Sequence, residues 1–172
     1  MLTLGALILV SVISLNFYRS SNYTESSLDF DRFRAEGTAI LTSHVEQLSQ
    51  YYFDEASIDT NNQKLLADMT SPGSLGFEAN DSGKVDDLDD LKNLIRTEVG
   101  VSGVTYKILT NVSYVTLTNN TFVNSGSRQY HKQIKIMVYD GYEVPLIYHM
   151  QGNNRIRDSL QVSALISYWF YN

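Results

Sequence analysis

The sequence predicts an α+β fold in which one long N-terminal α-helix, apolar over its first third, packs against a roughly four-stranded antiparallel β-sheet. Three observations predict it. Residues 1–18 (MLTLGALILVSVISLNFY) contain no charged side chain and place aliphatic residues on every side of a helix. Residues 19–57 then repeat apolar side chains at three- and four-residue spacing, the period of an amphipathic helix. From Ser102 onward the period switches to two, the period of strands.

The opening stretch divides into what lipid or a helix bundle accepts and what water accepts. A helix that is apolar all round must be buried in a bilayer or among other helices, and eighteen residues span roughly 26 Å, enough for a hydrocarbon core. No Lys or Arg precedes the stretch, and no small-residue cleavage site follows it. The expectation is that Met1 is a processed end, a short basic leader having been cut away in front of it. Between residues 19 and 57, Leu28, Phe30, Phe33, Ile40, Leu41, His44, Val45, Leu48, Tyr51 and Tyr52 form one stripe, with Asp29, Asp31, Arg32, Arg34, Glu36 and Glu46 between them. No proline interrupts residues 1–71, so a single helix to about Ser57 is expected, about 80 Å long, with Gly37 as the place for a bend.

Residues 58–101 read as a loop-rich connecting segment, dense in turn residues (TSPGSLGF, NDSGK). Near its end, Asp86-Asp87-Leu88-Asp89-Asp90-Leu91 reads as a surface loop closing in a turn or short helix. Residues 102–172 supply the strands: Val104–Leu109 continuing through Val112–Leu117, His131–Tyr139, Val144–Met150 with Pro145 at its start, and Ser159–Tyr171. Short turns between them favour an antiparallel meander laid on the amphipathic half of the helix.

Composition narrows the function classes. A net charge of −6 argues against nucleic-acid binding by the isolated chain, since phosphates need a basic face. With no cysteine, neither a disulfide framework nor a thiolate metal site is available. No phosphate-cradling loop, nucleophile elbow or haem-attachment motif occurs, so an enzymatic reading has no residue to rest on and no cofactor is expected.

A naked apolar helix that continues as an amphipathic helix and then meets an antiparallel sheet resembles the type IV pilin superfamily, which includes secretion-system pseudopilins. The acidic DDLDDL loop is similar to the acidic loop of pilin-like proteins. The resemblance implies a structural subunit, cut by a prepilin peptidase, held in the inner membrane before assembly, and polymerised by a pilus assembly machine. The product would be a helical homopolymer on the cell surface. In such a filament the packing residues would be Met1, Leu2, Leu4, Gly5, Leu7, Ile8, Val12 and Leu15. The family usually carries glutamate at the fifth mature position, paired with a neighbour's terminal amine; Gly5 stands there instead. A Met1 ammonium would then need carbonyls or the Thr3 hydroxyl, while glycine permits close helix approach. Within the family the alternative is a pseudopilin or minor pilin. Outside it, the alternative is a single-pass, membrane-anchored extracytoplasmic binding domain that never polymerises.

Smaller signals are set against plainer readings. Asp86, Asp87, Asp89 and Asp90 offer oxygen ligands to calcium, but their spacing is not that of an EF-hand, and a solvated acidic turn is the plainer account. His44, His131 and His149 are too scattered for zinc, and His44 reads as a satisfied core residue. The groups Tyr51–Phe53 and Tyr168–Tyr171 suit core or interface packing better than carbohydrate or electron transfer. Glycosylation sequons begin at Asn22, Asn80, Asn111 and Asn119, and Ser20–Ser27 is a candidate for O-glycans.

Overall fold

The fold, a computed structural model, describes residues 2–58, 62–78 and 83–169, with side chains described from Leu9 onward. One long helix, α1 (Leu2–Gln47), leads into an antiparallel sheet, and the α+β class expected from the sequence is the class found. At about 1.5 Å per residue its 46 residues run about 70 Å. The strands are β1 (Ile95–Val99), β2 (Thr105–Thr118), β3 (Thr121–Asn124), β4 (His131–Asp140), β5 (Tyr148–Gln151), β6 (Asn154–Arg157) and β7 (Leu160–Ser167).

The main sheet has the order β1-β2-β4-β7, all antiparallel, with β3 paired to the far end of β2. Strand β2 is long enough to serve two partners on one side: Thr105–Leu109 pairs with β1, and Val115–Thr118 pairs with β3. The β2–β3 turn is Asn119-Asn120, both at positive φ, which asparagine tolerates and a tight hairpin needs. Alternation then decides which side chains go inward. On β2 these are Tyr106, Ile108, Thr110, Val112 and Tyr114; on β4, Lys132, Ile134, Ile136, Val138 and Asp140. The lower half of α1 lies across β4 and β7 and closes this core through Ile40 and Leu48, with Phe33, Leu41 and Val45 at its margin.

Four expectations are corrected. The helix stops at Gln47, not near Ser57, and passes through a 3-10 turn at Leu48–Gln50. There the backbone of Tyr52 bonds to both sides of the acidic turn (Tyr52 N to Asp86 O, 3.1 Å; Leu88 N to Tyr52 O, 2.9 Å), and Phe53 and Asp54 drop into the core. Tyr52 takes its backbone partners from the acidic turn and not from the preceding helical turn, so the helix gives way. The connecting segment 58–101 contains a strand, β1, with a largely exposed edge that shows little alternation in burial. The Val144–Met150 strand begins only at Tyr148, and β5–β6 is a separate hairpin turning through Gly152. The last strand ends at Ser167, with Tyr168 and Trp169 outside it; the rest of the expected run to Tyr171 lies outside the described residues.

Gly37 lies inside the unbroken helix, not at a break in it. A Cβ there would stand 2.9 Å from Leu160 Cδ1, so the residue is small because helix and sheet approach closely.

Candidate functional site

Two regions of the molecule depart from an ordinary packed domain. The first is the upper half of α1. From Leu9 to Asp29 every residue is exposed, and the run includes Leu9, Val10, Val12, Ile13, Leu15, Phe17 and Leu28. Their exposure ranges from 52% at Val12 to 77% at Phe17, so no other described residue covers them. Isolated exposed apolar residues are normal, but a contiguous apolar rod marks a contact surface. Full burial of an aliphatic side chain is worth about 1.5–3 kcal/mol, so covering seven roughly half-exposed ones amounts to about 5–10 kcal/mol before the costs of association.

The rod is fixed to the domain where it enters it. Glu36, on α1, accepts hydrogen bonds from Ser102 N (2.7 Å), the Ser102 hydroxyl and Tyr106 Oη (2.9 Å); Tyr106 Oη also reaches Phe33 O (3.1 Å). Burial pushes the Glu36 carboxyl up, but the Ser102 and Tyr106 donors outweigh it and hold it below its usual range. The same burial and the Glu36 anion push Tyr106 up, so its hydroxyl stays a donor. Gly100 makes room for this latch: a Cβ there would collide with the Glu36 carboxylate. Further up, Phe30 meets Tyr148 edge-on with centroids 5.3 Å apart, and Arg34 pairs with Asp158 at 3.7 Å. Beside this latch, opposite Tyr106 in the β2–β4 register, Asp140, fully buried, accepts from Leu146 N and Ile147 N (both 3.1 Å) and so shapes the loop into β5.

The second region is a charged cluster inside the core. Lys132 Nζ, fully buried, donates to Phe53 O (2.6 Å), Asp54 Oδ2 (2.9 Å) and Asp89 Oδ1 (3.2 Å), between the rings of Phe53 and Tyr114. Asp54 also accepts from Thr70 N, Thr70 Oγ1, Tyr114 Oη and Ala56 N. Burial raises its pKa, yet the Lys132 charge and these donors together hold it below the usual carboxylate range. Tyr114 is pushed up by burial and then by the Asp54 anion, so it remains protonated. Asp87 is pushed up to about 9, first by burial and then by its hydrogen bond to Asp89 and the Asp89 charge. Asp87 therefore keeps a proton at neutral pH beside the Asp89 carboxylate. Oδ1 of Asp87 accepts from Asp89 N (2.9 Å) and Asp90 N (3.2 Å), while Oδ2 of Asp87 and Oδ2 of Asp89 meet no donor among the described residues.

The acidic loop is thus no solvated turn: Asp87, Asp89 and Asp90 are fully buried and only Asp86 is exposed. Among the described residues no group of three or more His, Asp or Glu side chains is arranged to hold a metal ion. Lys132 is not among the residues singled out from the sequence. Its even number places it on the face of Ile134, Ile136 and Val138, which was the available signal. Of the packing residues, Val12 and Leu15 lie on the exposed rod; Met1 and the side chains of Leu2, Leu4, Gly5, Leu7 and Ile8 lie outside the described residues. Among the described residues no helix is long and apolar enough to cross a membrane.

His44 Nε2 lies 3.2 Å from Glu98 Oε2, His131 Nδ1 lies 2.7 Å from Ser167 Oγ, and His149 is exposed on β5, so the three are not brought together. Asn22, Asn111 and Asn119 are exposed, and Asn80 lies outside the described residues. Tyr168 stacks on Tyr130 and donates its position to the core beside Phe53, whereas Trp169 is exposed; Phe170 and Tyr171 lie outside the described residues. No protein-family model matches the chain, and neither a curated protein nor a solved structure matches it.

Proposed function

We propose that the protein is a pilin-like structural subunit that polymerises through its N-terminal helix into a filament on the cell surface, residing in the membrane before assembly. The observation that carries this reading is the stretch of α1 from Leu9 to Tyr18, uncharged, rich in exposed aliphatic side chains and uncovered by any other described residue. Three further features support it. The rod is held rigidly by Glu36, Ser102 and Tyr106, so a helix bundle at the centre would position the domains outside it. The outward face of the sheet carries Lys107, Asn111 and Lys135, suited to solvent. Lipid tails and a bundle of like helices are about equally apolar, so small packing differences decide between membrane and polymer. A head-to-tail contact that does not close on itself extends into a helical fibre.

The test is electron microscopy of surface material sheared from cells producing the full chain, paired with sizing of the detergent-extracted protein. Fibres that disappear in Leu15→Glu, with the domain still folded, are expected. A wild-type chain that stays monomeric in detergent and yields no fibres would refute the polymer and leave an anchored, non-polymerising domain.

A further inference from the structure

The buried cluster holds the parts of a reaction as well as of an ion pair. We propose that Lys132 and Asp89 condense within the folded core to form an intramolecular isopeptide bond, tying β4 to the turn after residue 86. Four observations carry it. Lys132 Nζ stands 3.2 Å from Asp89 Oδ1, the oxygen bonded to the carbon it would attack, so nucleophile and electrophile are already held side by side. Both side chains are fully excluded from water, and Lys132 Nζ lies over the rings of Phe53 and Tyr114. A second carboxyl, Asp87, lies against Asp89, its Oδ1 accepting from Asp89 N (2.9 Å), and being protonated it supplies an acid beside the Asp89 oxygens. Asp54, 2.9 Å from Nζ, is placed to accept the ammonium proton.

The choice of Asp89 over Asp54 follows from hydrogen bonding. Each oxygen of Asp54 accepts from several donors, so losing either breaks bonds from Thr70 and from Ala56 or Tyr114 inside the core. Oδ2 of Asp89 has no donor among the described residues and leaves at no such cost. The step balances without an outside reagent. The ammonium passes a proton to Asp54, the amine attacks the Asp89 carboxyl carbon, and Asp87 protonates the oxygen that departs. That oxygen leaves with two of the three Nζ protons as one water, the C–O bond breaks as the C–N bond forms, and Asp54 and Asp87 regain their starting states. An ammonium and a carboxylate buried at high desolvation cost become one neutral amide. In a chain without cysteine this is a covalent brace of a different kind, and it does not depend on the filament reading.

The experiment is intact-mass spectrometry on the folded full chain after denaturation, with a tryptic digest. A chain lighter than its sequence by one water is expected. The digest should link residues 85–92 to residues 129–135, with the cut after Lys132 lost. Lys132→Arg and Asp89→Ala should restore the full mass, and Asp87→Asn should slow linkage in a time course at least tenfold. Full sequence mass in a wild-type chain whose near-ultraviolet circular dichroism is native, after prolonged incubation, overturns the proposal. So does a linked peptide that maps to Asp54.

Discussion

Replacing Asp87 by asparagine should make the protein more stable at neutral and alkaline pH, although it alters a fully buried residue. In the fold Asp87 titrates near 9; unfolded, it should return to its ordinary value of 3.8. Between those values the folded chain holds one proton more than the unfolded chain, so stability falls as pH rises. The slope for one proton is about 1.4 kcal/mol per pH unit, or about 4 kcal/mol from pH 5 to pH 8. Asparagine keeps the Oδ1 that accepts from Asp89 N and Asp90 N and stays neutral at every pH, as the protonated Asp87 does at neutral pH. Asp87→Asn should therefore lose most of that slope and exceed wild type by about 2–4 kcal/mol at pH 7.5. Burial is the largest cause of the shift, so the direction holds whether Asp89 is a free carboxylate or an amide. Urea unfolding at half-unit pH steps, with m unchanged between the two proteins, reads it directly. Parallel curves for variant and wild type would refute the assignment of a neutral Asp87.

Three other outcomes are expected. Below about pH 4 the sign reverses: Asp54 and Glu36 have folded values below their ordinary ones, so stability is lost as acid protonates them, and urea midpoints should peak between the acid and alkaline arms. Tyr114→Phe removes a buried donor to Asp54 Oδ2 (2.9 Å) and should cost about 2 kcal/mol, about 4–8 °C in thermal midpoint by calorimetry. Ser102→Ala takes a hydroxyl from the Glu36 latch. Amide exchange should then quicken around residues 30–40 of α1 while β2 and β4 stay protected; equal protection throughout would count against the latch.

The sequence by itself determined the ends of the architecture. Eighteen uncharged residues followed by a three-four repeat can only be a long helix whose start needs cover from elsewhere, and strict alternation in β2 and β4 set which side chains point inward. The parity that buries Ile134, Ile136 and Val138 also buries Lys132 and Asp140, so the charged interior was written in the pattern although polarity argued against it. What only the tertiary structure decided lies where partners are far apart in the chain. A helix stripe running to Tyr52 gave way because Tyr52 finds its backbone partners in the acidic turn more than thirty residues on. Four aspartates look solvated until Lys132, forty-three residues beyond Asp89, arrives to share their burial. Local period fixes the direction of a side chain, but the environment it points into is made by distant segments, and a buried charge exists only where they supply its counter-charge and donors.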